Sequence, residues 1–450
     1  MDYIIDIDHY WKNVEKWFND IKINNNLFPD KYKKVTTEIK LNFRIKFLFF
    51  IKTIFNIDNI NTLDKIILKN YDIDVIIKNL YKIDFFYYLE EDIEFKNIIL
   101  YLSKFSFYFN DIKNKIIEIL KPILDDENCE KLLNIDDDLT RFTPILALII
   151  FLYFKKRDIK NVLEDFLKLN IVFIQFFIIS YLILDNLMDK NDENDLNIQN
   201  NLIFFKWFMN IINNPDQEII MDEEQSLIWQ CITFKKFFLL FRNEYPYQDN
   251  IFIYDYMKIM VYTLNNIHKI QKNNNNNITE REVLEITFKK SYVTISFLAF
   301  ILFKQLNYNF TKKDIKIISK ISFFIQLFDD FIDINKDIEE KNISYFTLNL
   351  NDVEKIDSKI KKLISVFYLI MDEFNEENNN IYNFYHYIFK NILFGTVYLN
   401  SDKINNDLLN NFYEYSFFMP DILKYFDKNT YDIYSNNIFL NFIKKMIKNL

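Results

Sequence analysis

Residues 324–337, FIQLFDDFIDINKD, carry the pattern on which our interpretation of the fold rests. Asp329, Asp333 and Asp337 recur every four residues with Asp330 beside them, so on a helix these carboxylates share one face. The acidic run ends an apolar segment that begins near Asp314, which we predict as the N-cap of a helix. The pattern predicts an apolar helix that ends in an acidic cluster.

A second acidic pair follows another apolar run. Asp185 and Asp189 come directly after the run Ile171–Leu184 and are again four residues apart. Like charges at this spacing repel, and anions oppose the negative end of a helix dipole, so a divalent cation would remove both penalties. Two such helices that face each other would place carboxylates on opposite walls of an aromatic pocket. Taken alone, either run is also typical of a solvated helix end.

The scarcity of glycine favours helices. A single glycine, Gly395, occurs in 450 residues. Glycine-rich phosphate loops, dinucleotide-binding turns and nucleophile elbows need glycine where the backbone approaches a ligand or takes a positive φ, so these kinds of site are excluded. Apolar residues recur at spacings of three and four, which predicts an all-α protein. The acidic stretch 125–138 is the best boundary, and it divides the chain into an N-terminal helical segment of unknown role, 1–130, and a larger domain, 131–450.

Charge, cysteine content and apolar run lengths indicate the environment of the protein. The net charge of −9 argues against a nucleic-acid partner, because affinity for nucleic acid comes mainly from cations on phosphates. Cys129 and Cys231 make no disulfide framework, and the N-terminus lacks the basic and apolar regions of a signal peptide, so we expect a cytoplasmic protein. The strongest apolar runs, such as Val293–Phe303, are too short to span a membrane, so we expect no transmembrane segment.

Four short segments resemble one superfamily. Residues 324–333, FIQLFDDFID, resemble the FxQxxDDxxD motif of trans-prenyl diphosphate synthases, and residues 185–189, DNLMD, resemble the first aspartate-rich motif of class I isoprenoid synthases. Residues 141–144, RFTP, are similar to a degraded form of the GKRxRP helix start of that family. Lys290-Ser291 resembles its diphosphate-binding Lys-Thr pair. The resemblance covers roughly residues 135–350 in order.

The resemblance implies a class I isoprenoid synthase-like helical barrel with an extra N-terminal helical segment, acting on a prenyl diphosphate and compatible with a homodimer. It implies that Mg²⁺, about three ions bound with the substrate, is held by carboxylates that are both metal ligands and catalytic residues. These are Asp185, Asp189, Asp329, Asp330 and Asp333. It further implies four diphosphate-binding residues, Arg141, Lys290, Lys336 and Gln326.

Departures from the family pattern favour one reaction type. Asn186 stands where the first motif has its second aspartate, and Lys-Asn-Asp-Glu at 190–193 replaces two arginines. In chain-elongating synthases such cations hold isopentenyl diphosphate, so we expect a one-substrate reaction: ionisation of an allylic prenyl diphosphate with cyclisation or elimination, as in terpene synthases. The Asn-x-x-x-Ser-x-x-x-Glu motif of typical terpene synthases is also absent. Two alternatives stay open, a trans-prenyltransferase that condenses isoprenoid units and a catalytically inactive helical partner subunit.

Overall fold

The computed structural model describes residues 6–23, 28, 195–273, 278–305, 311–340, 342–348, 352–374, 393, 396–397 and 400–415. Throughout these ranges the regular structure is helical, without a β-strand. The all-α prediction is therefore confirmed for this part of the chain, while the isoprenoid synthase-like barrel stays a prediction. The predicted domain boundary at residue 130 lies outside the described residues, and the division into 1–130 and 131–450 also stays a prediction.

The described helices belong to two compact units. The first unit contains α1 (Ile7–Asp20), α2 (Asp195–Asn213), α3 (Glu223–Ser226), α4 (Trp229–Glu244), α5 (Ile251–Asn273), α6 (Glu280–Gln305), α7 (Lys312–Ile332) and α8 (Ile334–Glu340). A 3-10 turn, Tyr247–Asp249, precedes α5. The second unit contains α9 (Val353–Phe374) and α10 (Asn406–Tyr415), with a 3-10 turn at Ser401–Lys403.

Helix α7 begins with a capping box. Thr311 is the N-cap: its Oγ1 accepts a hydrogen bond from the backbone N–H of Asp314 at 3.3 Å, and Asp314 Oδ2 accepts one from the backbone N–H of Thr311 at 2.7 Å. The prediction that Asp314 is the N-cap is therefore wrong, because Asp314 is the third helical residue and closes the box from inside. This reciprocal arrangement satisfies two N–H groups that a helix start leaves without partners.

Helices α6 and α7 pack along each other, and α5 packs against α6. Buried isoleucines of α7 recur at spacings of three and four, which is the periodicity of one helical face: Ile315, Ile318, Ile321 and Ile325. The apolar run Val293–Phe303 lies inside α6, where Phe297 contacts Tyr256 of α5 at 5.5 Å between ring centroids. Among the described helices, none is long and apolar enough to cross a membrane.

Helix α1 contributes large side chains to the same core, although it is remote in sequence. Tyr10, Trp11, Val14 and Phe18 are all buried, and their spacing places them on one face of the helix. Each buried side chain of this size contributes about 1.5–3 kcal/mol relative to an exposed one. The contacts are with α6 and α7, so both helices of the central pair are covered by α1.

A second aromatic cluster joins α2, α4 and α5. Phe234 of α4 makes an edge-to-face contact with Phe208 of α2 at 4.7 Å, and Phe238 makes one with Tyr254 of α5 at 6.1 Å. All four side chains are fully buried. The high aromatic content of this chain therefore serves the core at these positions, where edge-to-face pairs add about 0.5–1.5 kcal/mol beyond area burial.

The second unit has its own small core. Phe28 is buried against Phe412 of α10 at 6.1 Å and Tyr368 of α9 at 6.2 Å between ring centroids. Asp357 of α9 accepts a hydrogen bond from the backbone N–H of Asn405 at 3.2 Å, just before α10 begins. These contacts join α9 and α10 to each other and to Phe28.

Candidate functional site

The C-terminal end of α7 brings three of the predicted site residues into one hydrogen-bonded group. Gln326 Nε2 donates to Asp329 Oδ2 at 3.0 Å and to Asp330 Oδ1 at 3.3 Å. Residues three and four apart on a helix lie on the same side, so this contact follows directly from the spacing of the motif. The amide of Gln326 therefore fixes the orientation of both carboxylates.

The acidic face continues beyond the end of α7. Asp333 is the C-cap of α7, yet its backbone N–H still bonds to the carbonyl of Asp329 at 2.9 Å, and the N–H of Asp337 bonds to the carbonyl of Asp333 at 2.8 Å. The i→i−4 hydrogen bonds of α7 therefore continue through Asp333 into α8, and they connect the acids that recur every four residues. Lys336 lies on α8 and is exposed.

Helix α6 supplies the facing side of the site. Thr287 Oγ1 donates to Asp330 Oδ2 at 3.2 Å, and the Thr287 side chain is buried. Lys290 lies one turn further along α6, and its positive charge offsets part of the effect of burial, which raises the pKa of Asp330 and of Asp337. The predicted role of Lys290 in binding diphosphate stays a prediction. Ser291, the neighbour that completed the Lys-Ser resemblance, is buried.

Asp330 is partly buried and titrates well above an ordinary aspartate. Burial raises its pKa from 3.8 to about 6, because the charged form loses hydration. Hydrogen bonds from Gln326 and Thr287, and the charge of Lys290, act in the opposite direction by favouring the carboxylate. The backbone N–H of Tyr345 acts in the same direction, yet these three donors and one cation do not offset the desolvation of the Asp330 side chain.

Asp337 is a site residue that the sequence analysis aligned with the others but did not select. Burial, together with the negative charges of Asp330 and Asp333, raises its pKa from 3.8 to about 7, against the opposing effects of a hydrogen bond from Ser344 and the charge of Lys290. The four-residue recurrence was a signal for including it. Thr287 was missed as well, and its only signal was its position one turn before Lys290 on the same helix.

Hard oxygen donors of this kind suit Mg²⁺, which prefers carboxylates, water and phosphate oxygens. The raised pKa values of Asp330 and Asp337 mean that negative charge is poorly stabilised here, and a cation would stabilise it. Within the described ranges, however, no three Asp, Glu, His or Cys side chains are close enough together to hold a metal ion. The donor chemistry of the described residues fits Mg²⁺, but they supply only part of a ligand set.

The structure leaves the opposite wall of the predicted site undescribed. Asp185, Asp189 and Arg141 lie outside the described residues, so the predicted facing of the two acidic motifs stays a prediction. Of the remaining predicted residues, Gln326, Asp329 and Asp330 are joined by hydrogen bonds, and Asp333 follows one turn later.

Comparison with known proteins adds no assignment. The chain matches no protein-family model, and neither the curated proteins nor the solved structures contain a significant match to it.

Proposed function

We propose that this protein is a Mg²⁺-dependent, diphosphate-releasing enzyme that ionises an allylic prenyl diphosphate and directs cyclisation or elimination, as terpene synthases do. One observation carries the proposal: the acids that end α7 are oriented by Gln326 and faced by Thr287 and Lys290 of α6. A polar, charged cluster at the C-terminal end of α7, faced by α6, is where a diphosphate and its metals would bind.

In this proposal Asp329, Asp330 and Asp333 hold Mg²⁺ from one side, and Asp185 and Asp189 hold it from the other. When bound, the metal withdraws electron density from the diphosphate and makes it a better leaving group. If both motifs hold the metal, α7 needs to supply only some of its ligands, since Mg²⁺ usually completes its shell with water and substrate phosphate.

The side chains around the acids have separate tasks. Gln326 keeps two carboxylates in a fixed orientation, and Thr287 holds the second oxygen of Asp330. Lys290, with Lys336 and Arg141, contributes positive charge for the departing diphosphate. Outer partners of this kind commonly change metal affinity about 10–100-fold when they are removed.

Aromatic side chains adjoin the acids on α7. Phe324 and Phe328 are one turn apart, partly buried and stacked, with ring centroids 5.8 Å apart and planes 13° apart. Aromatic faces attract cations and exclude water, so such a pair next to the leaving-group site would stabilise an allylic carbocation. A cyclisation or elimination needs a stabilised carbocation, whereas a simple hydrolysis of the diphosphate does not.

One observation favours a second candidate, the catalytically inactive helical partner. Both carboxylate oxygens of Asp330 already accept hydrogen bonds, from Gln326 and Thr287. A carboxylate satisfied by neutral donors can be a structural element that joins α6 to α7 without any metal. The two candidates differ in turnover, which the following experiment measures.

The test incubates the full-length protein with Mg²⁺ and geranyl, farnesyl or geranylgeranyl diphosphate, with and without isopentenyl diphosphate, and identifies extracted products by gas chromatography–mass spectrometry. The test variant is Asp329→Ala/Asp333→Ala. The matched control is Asp255→Ala/Asp372→Ala, which removes two carboxylates from α5 and α9.

We expect a hydrocarbon or alcohol without isopentenyl diphosphate, lost in the test variant and kept in the control. Longer products that form only with isopentenyl diphosphate would replace the proposal by trans-prenyltransferase activity. No turnover under any condition would favour the inactive partner subunit.

A further inference from the structure

Helix α1 lies against both helices that carry the candidate site. The Trp11 ring contacts Phe288 of α6 at 5.6 Å and Phe323 of α7 at 6.2 Å between centroids. Phe18 makes an edge-to-face contact with the same Phe323 at 5.1 Å. Phe288 and Phe323 also contact each other at 6.3 Å, so Trp11 packs across the seam between α6 and α7 and touches both helices where they meet.

Charged side chains add directional contacts at the edges of this interface. Arg281, in the first turn of α6, forms a two-pronged ion pair with Glu15 of α1, including an Nη2–Oε2 distance of 3.1 Å. Lys289 Nζ lies 2.8 Å from Asp8 of α1 and 2.8 Å from Glu285 of its own helix. These two pairs are eight residues apart on α6, so they resist sliding and rotation of the helix relative to α1.

A third contact reaches α7. Lys320 lies over the Trp17 ring of α1, with Nζ 4.9 Å from the ring centroid. Cation–π contacts at partly exposed positions are worth about 0.5–1 kcal/mol. Ionic or aromatic contacts therefore connect α1 to each member of the α6–α7 pair.

On α6, two residues that contact α1 lie between two residues that act on the acids of α7. Phe288 and Lys289 contact α1, whereas Thr287 on one side of them reaches Asp330 and Lys290 on the other side acts on it electrostatically. One residue of an α-helix corresponds to about 1.5 Å of rise and about 100° of rotation. A displacement of that size would break the 3.2 Å bond from Thr287 to Asp330.

We infer that α1 is a positioning element of the candidate site: it holds α6 in register against α7 and thereby keeps Thr287 and Lys290 aimed at the acidic end of α7. The inference rests on the site described above and deepens the proposed function. It gives the N-terminal helix a role in the site, with Trp11, Glu15 and Asp8 as positioning residues that touch neither metal nor substrate.

The first experiment compares Glu15→Arg, Arg281→Glu and the double charge swap in the full-length protein. Hydrogen exchange is followed by mass spectrometry in peptides that cover residues 283–294 and 324–337. We expect each single variant to exchange about two- to fivefold faster in both regions, which is the effect of losing one exposed ion pair, and the swap to restore protection. Asp255→Arg, which breaks the Asp255–Lys258 pair on α5, is the control and should leave both regions unchanged.

The second experiment compares two buried aromatic truncations of similar size. Trp11→Ala removes the ring contacts of Trp11 with Phe288 and Phe323, whereas Phe234→Ala opens a cavity in the cluster of α2, α4 and α5. The readout is Mn²⁺ affinity, measured by electron paramagnetic resonance at a temperature where both variants are folded. We expect Trp11→Ala to weaken Mn²⁺ binding about tenfold, and Phe234→Ala to leave it unchanged.

Different outcomes separate this inference from the proposed function. Faster exchange confined to α1, with 324–337 unchanged in every α1 variant, would overturn the positioning role. Equal loss of Mn²⁺ affinity in Trp11→Ala and Phe234→Ala would also overturn it, because general destabilisation would then explain both. If the unaltered protein binds no Mn²⁺, the metal-dependent function fails and the charge-swap exchange data alone decide the inference. Should Trp11→Ala fail to fold, the same charge-swap data decide it.

Discussion

Replacing Asp337 by Asn should stabilise the metal-free protein at neutral pH and above. Asp337 is partly buried on α8, and burial, together with the negative charges of Asp330 and Asp333, raises its pKa to about 7. Asn has the same shape and can accept the hydrogen bond from Ser344, but it carries no charge to desolvate. The substitution therefore isolates the free energy of ionising this side chain in the folded protein.

The direction of the pH effect follows from proton binding. Between pH 3.8, the ordinary pKa of the group, and about 7, folded Asp337 keeps a proton that the unfolded chain has lost. Stability from this group is unchanged below about pH 4, falls as pH rises to about 7, and stays reduced above it. The full rise in pKa corresponds to roughly 4 kcal/mol, at about 1.4 kcal/mol per pKa unit. Solvent screens part of this effect, and part of the rise in pKa comes from the charge of Asp330, which would itself take up a proton. The expected gain in the free energy of unfolding of Asp337→Asn is therefore about 2 kcal/mol.

The assay is urea unfolding in EDTA, with both proteins measured near pH 4.5, 6 and 8 and the midpoints and slopes compared. We expect the variant to exceed the unaltered protein by only about 0.5 kcal/mol near pH 4.5 and by about 2 kcal/mol near pH 8. Asp372→Asn, at an exposed position of α9, is the control and should show no such trend. A variant that is equally stable or less stable at every pH would refute the claim that burial disfavours the charge of Asp337.

Two further predictions concern local structure. Thr311→Ala removes the N-cap of α7 and should lower the free energy of unfolding by about 1 kcal/mol, measured by urea unfolding, whereas Thr311→Ser should restore most of it; an unchanged Ala variant would contradict the capping box. Cys231 is fully buried, and burial raises its pKa to about 12, so iodoacetamide at pH 8 should leave its tryptic peptide unmodified in the native protein and modify it in urea. Equal modification in both conditions would show that α4 is not packed as described.

Part of the candidate site could be predicted because it depends only on helix geometry. Gln326, Asp329 and Asp330 are three and four residues apart, and any helix through them brings the amide to both carboxylates. Thr287 could not be identified in this way. It lies 43 residues before Asp330, and the contact exists only because α6 packs along α7.

The prediction that Asp314 is the N-cap of α7 was wrong because the cap also depends on the surrounding structure. Asp314 is a good N-cap by residue type, and so is Thr311, and both lie at the start of the same apolar segment. Which of them leaves the helical conformation depends on where the preceding chain turns, not on the side chains alone. The capping box uses both residues, one outside the helix and one inside.

The sequence by itself determined that the described chain is helical, because glycine is almost absent and apolar residues recur at the spacing of a helix, and it determined which acids share a face of α7. Tertiary structure alone decided which of those acids are buried and desolvated, and which residues distant in sequence surround them. The raised pKa of Asp337 depends on burial and on Ser344, and the ion pair of Glu15 with Arg281 joins residues 266 positions apart. Periodicity is a property of neighbouring residues, whereas desolvation and charge pairing depend on which helices pack together.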